Sequence, residues 1–434
     1  MNIPQQAFLR DAMRRLNMTR EAFAHRIGST RRALDTWLLP DESSEYRAMP
    51  GVARQFVTEI LAGIQGVAND RALHADQAAR SAEEAPRSFG RLSHLLSVDQ
   101  FSREHADALC SLADVMQPIA RRKKVTRVLE GAVLANLFFE ASTRTRLSFA
   151  SAFCRLGGSV CDTTGFTFSS MAKGESLQDT SRVVSGYADA VVIRHPEQGS
   201  VGEFARATNV PVINGGDGAG EHPTQALVDL YTVQREFSRL GKLMDGAHIA
   251  VVGDLKYGRT THSLIKLLSL YKNMRFTLVA PPSLEMPMEV CEVAARRGHI
   301  VEVFDSIPGA ISGADMLYTT RVQKERFTGE SVDGYLASFQ IDKQLVDAKC
   351  KKDVVVMHPL PRDSRPGAYD LSADLYGDPR LAIFRQTDNG VPVRMAVFAT
   401  LLGVDGLVQR SLRDATWATP EAIGPDDLLN DDEH

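Results

Sequence analysis

Between Val133 and Met357, short apolar runs alternate with segments of helical period, and this alternation constrains the fold more than any other feature of the chain. The runs are Val133 to Phe139, Ala190 to Ile193, Val210 to Ile213, Ile249 to Val252, Phe276 to Ala280, Met316 to Thr319 and Val354 to Met357. Each is too short for a core helix and too continuously apolar for a strand with one wet face. Strands buried on both faces and joined by helices make parallel sheets, so the expected class is α/β, with two doubly wound parallel-sheet domains. The 434 residues leave room for a small all-α module in front of them.

Composition narrows the choice. With 44% hydrophobic and 24% charged residues, disorder throughout is excluded, and a net charge of -4 leaves no whole-chain basic field for nucleic acid or an anionic membrane. Cys110, Cys154, Cys161, Cys291 and Cys350 are widely spread, with no pair at CxxC spacing, so they read as reduced thiols and not as a disulfide frame or a zinc site. No run approaches the roughly 20 apolar residues that span a bilayer, and the N-terminus carries Gln5, Gln6, Arg10 and Asp11 around a short apolar group. A soluble cytoplasmic protein with no membrane partner is expected.

The first lysine is Lys123, which sets the N-terminal part apart. Residues 1–65 read as a helical, helix-turn-helix-like module: Ala24 lets two helices approach, Gly28 makes the turn, Ser29 or Thr30 caps a second helix, and Arg31 and Arg32 lie at its start. Arg10 to Arg32 holds seven arginines against two acids, but residues 1–60 hold nine against seven. DNA binding through this module and a protein or oligomer contact are both open readings. Residues 66–90, polar and Ala-rich, read as a linker. The tail 413–434 is acidic and reads as a solvated end.

The stretch Glu140-Ala-Ser-Thr-Arg-Thr-Arg146 joins a buried strand to an apolar-periodic helix. A helix start offers unpaired N–H groups and a positive dipole end, Ser142, Thr143 and Thr145 add hydroxyls, and Arg144 supplies a fork matched to phosphate oxygens. A phosphate or similar dianion is the expected ligand.

The segment FFEASTRTRLSF (138–149) resembles the carbamoyl phosphate motif of the aspartate and ornithine carbamoyltransferase family. In the family's order follow Ser169, Lys173 and GESLQD (174–179), VIRHP (192–196), HPTQ (222–225), GDLKYGR (253–259), TRVQKER (320–326) and HPLPR (358–362), covering about Ser97 to Gly406. The resemblance implies a carbamoyl phosphate-binding domain at 91–235, closed by a C-terminal helix at about 390–412, and an acceptor-binding domain at 236–389. Arg321-x-Gln323 and Pro359 stand where ornithine enzymes carry a loop for a cationic acceptor and a cysteine, so two carboxylates, as in L-aspartate, suit Arg259 and Arg321.

Residue by residue, the resemblance implies that Ser142, Thr143, Arg144 and Thr145 bind phosphate, and that Arg194 contacts both phosphate and the reacting carbonyl. Ser169 and Lys173 would enter from a neighbouring subunit, Lys173 also reaching aspartate. His222 and Thr145 would polarise the carbonyl oxygen, and Gln225 with the Pro359 and Leu360 carbonyls would orient the carbamoyl amide. Arg259 would hold the α-carboxylate, Arg321 and Gln323 the β-carboxylate, with Leu360 beside them.

Arg144, Thr145, Lys173, Arg194 and His222 form the implied catalytic set. Glu140 reads either as a base or as an ion-pair partner of Arg259 or Arg326 in a closed state, and His195 and His358 read as structural. No metal or cofactor is implied, because carbamoyl phosphate is already an activated donor. The resemblance further implies a homotrimer or a dimer of trimers, with a regulatory or dihydroorotase-like chain as a further partner. The other class of reading is a non-catalytic, transferase-derived DNA-binding or assembly scaffold.

Overall fold

The computed structural model describes residues 4–16, 18–55, 57–58, 93–165, 174–321, 339–362 and 370–418. The chain divides into two compact units, residues 1–86 and 87–434. The expected linker, Ser169, Lys173, Gln323, Arg326 and most of the acidic tail lie outside the described residues.

In the first unit, helices Gln5–Arg15, Arg20–Arg26 and Arg31–Trp37 share a core of Leu9, Phe23, Ala24, Leu34, Trp37 and Leu38. Thr19 and Thr30 cap the second and third helices by accepting the N–H of Ala22 (3.3 Å) and Ala33 (3.2 Å). Gly28, at φ +67°, makes the turn between them. Asp35 lies 3.2 Å from Arg20 and 3.8 Å from Arg31, and Glu21 lies 3.7 Å from Arg31. These acids offset part of the positive charge that the arginine count alone would give this face.

The strands are β1 (Lys124–Val125), β2 (Val133–Phe138), β3 (Ser159–Thr164), β4 (Ala190–His195), β5 (Val212–Asp217), β6 (His248–Val252), β7 (Arg275–Val279), β8 (Ile300–Phe304), β9 (Met316–Thr319), β10 (Val355–Met357) and β11 (Arg413–Asp414). They form two parallel sheets, in the orders β3-β2-β4-β5 and β10-β9-β6-β7-β8, and an antiparallel ribbon of β1 with β11. β4, β6, β9 and β10 are buried throughout and expose no residue, which is why each reads as an unbroken apolar run.

In the two parallel sheets, β3 and β8 are the strands that the sequence reading missed, and it also missed the short ribbon of β1 and β11. β3 (SVCDTT) is polar, and β8 leaves Ile300, Val303 and Phe304 exposed, so neither carries the signal of a strand covered on both faces; both lie at the ends of their sheets.

Helix Gly390–Leu401 returns the chain to the first sheet's layer, packing on helices Arg103–Ala120 and Thr143–Arg155. There Phe398 meets Phe149 and Phe153 edge-on, with ring centroids 5.9 and 4.9 Å apart. Helix Pro223–Arg239 contacts β5, the helix Arg259–Leu268 that follows β6, and Gly390–Leu401, and so joins the two sheets' layers.

Candidate active site

Both sheets reverse their strand order beside the same cavity. From β2 the chain passes to β3 on one side and returns to β4 on the other; from β6 it passes to β7 and β8 and returns to β9 on the other. Such a reversal leaves a crevice beyond the carboxyl ends of the strands, where no crossover helix covers the sheet. The crevices combine in a cavity of about 630 Å³. Its lining comes from the residues after β2 (140–145), from Arg194 near the end of β4, from Gly218 after β5, from 257–260 after β6, from Thr320 and Arg321 after β9, and from 358–361 after β10.

Three helix starts converge on this space. Ser142, His222 and Gly258 are N-cap residues without a side-chain capping hydrogen bond; at the second start Pro223 has no N–H and the Gln225 N–H is given to the His222 carbonyl, and at the third the Arg259 and Thr261 N–H groups are given to the Tyr257 and Gly258 carbonyls, so it is the Thr143 start that keeps its first-turn N–H groups for an outside anion. The sequence expectation at Ser142 to Arg146 has this local basis: the apolar face of helix Thr143–Arg155 buries Phe149, Ala152 and Phe153, and its polar start is left facing the cavity.

Five arginines line the cavity, Arg144, Arg194, Arg259, Arg321 and Arg394, against two acids, Glu140 and Asp254. Burial pulls the Arg194 guanidinium down to about 10, with Arg259 adding to the fall and Glu140 opposing it. The residue remains charged at neutral pH. It reaches this depth because Gly216, at φ +130°, has no side chain: a Cβ there would stand 2.8 Å from Arg194 Nη1. Arg194 Nη1 donates to the Gly215 carbonyl at 3.2 Å, and its Nε lies 3.1 Å from Glu140 Oε2. The same Glu140 oxygen accepts from Arg259 Nη2 at 3.2 Å, and Arg259 Nη1 donates to the Gly218 carbonyl.

His222 is 4% exposed, and its backbone N–H donates to Ser263 Oγ at 3.3 Å. Burial first, then Arg194, Arg259 and Arg394, hold its imidazole well below the usual histidine range. At neutral pH it is therefore a neutral ring with one N–H to give. His358 lines the cavity too, but its Nδ1 accepts the Leu360 N–H at 2.8 Å and its Nε2 lies 3.4 Å from Asp370, a role in shaping the 358–361 turn.

The structure thus gathers Glu140, Ser142, Thr143, Arg144, Thr145, Arg194, His222, Gln225, Arg259, Arg321, Pro359 and Leu360 around one cavity. Sequence reading missed Arg394, 4% exposed and also lining it. Its guanidinium carbon lies 4.8 Å from the centre of the Phe149 ring and its Nη1 donates to the Gly390 carbonyl at 2.9 Å; among the described residues it makes no ion pair. Burial pulls it down to about 10, still charged. Its signal was available: Arg394 is the only charge in the helix GVPVRMAVFATL.

Comparison with known proteins gives matching results along the chain. Residues 93–235 match the family model described as aspartate/ornithine carbamoyltransferase, carbamoyl-P binding domain, and residues 245–401 match the Asp/Orn binding domain of the same family. The aspartate carbamoyltransferase catalytic subunit of Dichelobacter nodosus is 55% identical over 335 residues, 77% of this chain and 96% of that protein. That of Saccharophagus degradans is 53% identical over 326 residues, 75% and 97%. Among solved structures, aspartate transcarbamoylase from Trypanosoma cruzi in complex with carbamoyl phosphate is 40% identical, with a TM-score of 0.66 over 73% of this chain and 98% of that one.

Proposed function

The chain belongs to the aspartate/ornithine carbamoyltransferase family, and we propose that its cavity transfers the carbamoyl group of carbamoyl phosphate to the amine of L-aspartate, giving N-carbamoyl-L-aspartate and phosphate. The observation that carries this is the lining: five arginines with the open helix start at Thr143, a charge balance suited to a phosphate dianion and a dicarboxylate together. The scaffold alternative finds no support in relatives that are named as catalytic subunits.

Ser142, Thr143, Arg144 and Thr145, at a helix start, take the phosphate. Arg194 bridges phosphate and carbonyl oxygen, and Arg259 and Arg321, on the side of the second sheet, take the two carboxylates of aspartate. The amine attacks the carbonyl carbon, the C–N bond forms, and negative charge gathers on the carbonyl oxygen. Donors from Thr145, Arg194 and the neutral His222 stabilise that charge without having to reorganise. The C–O bond to phosphate then breaks. Glu140 is held by Arg194 and Arg259, so the departing phosphate is the base that takes the amine's proton.

The site is completed in the assembly: Ser169 and Lys173 enter from a neighbouring subunit, in a homotrimer or a dimer of trimers, Gln323 completes the acceptor side, and Arg326 is a partner of Glu140 in a closed state. This part of the proposal rests on the order of the motifs.

Titration with N-(phosphonacetyl)-L-aspartic acid, which joins both substrates' anionic groups, tests the shared cavity. Binding that is lost in Arg144→Ala and in Arg321→Ala separately supports one site for both groups. Binding indifferent to either substitution contradicts it.

A further inference from the structure

Asp229, one turn after Gln225 in helix Pro223–Arg239, is fully buried and does not itself line the cavity, yet three segments that do line it converge on its carboxylate. Gln225 Nε2 donates to Asp229 Oδ1 at 2.8 Å, and Gln386 Nε2 donates to the same oxygen at 2.7 Å. Tyr318 Oη donates to Oδ2 at 2.7 Å. The chain continues outward from each. Gln386 uses its Oε1 to accept the His358 N–H at 3.0 Å, and His358 Nδ1 accepts the Leu360 N–H at 2.8 Å, so the 358–361 turn hangs from Asp229. Leu360 there is a non-glycine residue at φ +55°, a backbone state that needs outside support. The neighbouring Arg385 forks onto Glu236 at 2.5 and 3.1 Å, fixing the short helix that carries Gln386 to the helix that carries Asp229.

An ionised carboxylate only accepts hydrogen bonds. Both glutamine amides must therefore turn their NH₂ groups to Asp229, and for Gln225 this turns Oε1 away from Asp229 as an acceptor for the cavity that the residue lines. We propose that Asp229 is a specificity-determining positioning residue: by fixing Gln225 with its carbonyl outward, and the Pro359–Leu360 turn through Gln386 and His358, it makes the subsite for the donor's amide a set of acceptors that selects an NH₂ group over a methyl. The inference rests on the function proposed above and deepens it. A donor bearing CH₃ in place of NH₂, acetyl phosphate, has the same phosphate and nearly the same shape but nothing to give to those acceptors, and leaves them unpaired.

The charged or titratable groups facing Asp229 are Tyr318 from β9 and Arg394 from helix Gly390–Leu401. Burial pushes the carboxyl up to about 6, against the hydrogen bonds from Tyr318, Gln386 and Gln225 and the charge of Arg394. The acceptor-only state is therefore present above about pH 6 and is lost below it, where a protonated carboxyl can donate to a flipped glutamine.

The test is the ratio of dissociation constants for acetyl phosphate and carbamoyl phosphate, measured by calorimetry on the wild type and on Asp229→Ala. Alanine removes the oxygen that holds both glutamine amides, so Gln225 can turn either end of its amide to the cavity and the ratio is expected to fall about tenfold, the equivalent of one mispaired hydrogen bond. A merely structural loss would weaken both ligands alike. A ratio retained within about twofold therefore overturns the inference. Should the variant not fold, the wild-type ratio measured from pH 8 to pH 5 decides: a fall through about pH 6 supports the assignment, and a flat ratio overturns it. Wild-type turnover with aspartate, run alongside, separates the two failures. Turnover with unchanged selectivity overturns this inference alone; no turnover and no binding of carbamoyl phosphate overturns the proposed function and this inference with it.

Discussion

Glu140 Oε2 lies 3.2 Å from Arg259 Nη2, a contact that joins the residue following β2 of the first sheet to the helix start following β6 of the second. The same oxygen reaches Arg194, so one carboxylate sets the spacing of the cation assigned to the carbonyl and the cation assigned to the α-carboxylate. Replacing Glu140 by Gln is expected to raise the KM for aspartate several-fold, the equivalent of about 1 kcal/mol for a partly exposed ion pair. Aspartate saturation curves check it, and an unchanged or lower KM would remove Glu140 from this role.

Arg394 gives a prediction in which function and stability move in opposite directions. A buried arginine without an ion-pair partner among the described residues is costly to keep, and methionine fills similar space over the Phe149 ring. Arg394→Met is expected to leave the melting temperature unchanged or raise it, while the affinity for carbamoyl phosphate falls about tenfold or more through the loss of a cavity cation. Calorimetry and a thermal melt decide. A lower melting temperature with unchanged affinity would make Arg394 purely structural.

His222 should act as a neutral donor throughout the physiological range. Its substitution by Ala is expected to lower kcat about 100- to 1000-fold, in line with the loss of one oxyanion donor. Because burial and three arginines hold its imidazole well below the usual value, no activity limb between pH 6.5 and pH 8 should belong to this residue. A limb there that vanishes in His222→Ala would show an imidazole titrating in its ordinary range and would contradict the electrostatic reading.

Asp229 carries a stability prediction with a definite sign. Its folded-state value, about 6, lies above that of an unfolded aspartate, so between the two the folded state binds the extra proton. This group's contribution to stability therefore improves as pH falls from about 6 towards the ordinary carboxylate range, against the general trend of acid destabilisation. Chemical denaturation of wild type and Asp229→Asn between pH 4 and pH 7 isolates it. A stability difference that does not change with pH would mean that the carboxyl titrates normally.

The strands that hold the site were legible because burial on both faces leaves unbroken apolar runs, as in β4 and β6, whereas β3 and β8, at sheet ends, blend polar or exposed positions into the pattern. The phosphate-binding start at Ser142 to Thr145 was legible because its chemistry is contiguous in sequence. Asp229, Tyr318 and Gln386 were not, since their meaning arises only when residues 89 and 157 positions from Asp229 fold onto one carboxylate. In the N-terminal module a count of arginines leaves out their pairing: the fold sets Arg20 and Arg31 both beside Asp35.

The most direct test of the central claim is product formation by the purified full-length chain given carbamoyl phosphate with either L-aspartate or L-ornithine, with Arg321→Ala in parallel. Carbamoyl-aspartate and phosphate formed in equal amounts, little product from ornithine, and a large loss of aspartate turnover in the variant are the predicted result. Carbamoylation of ornithine in preference to aspartate, or aspartate turnover indifferent to Arg321, would contradict it.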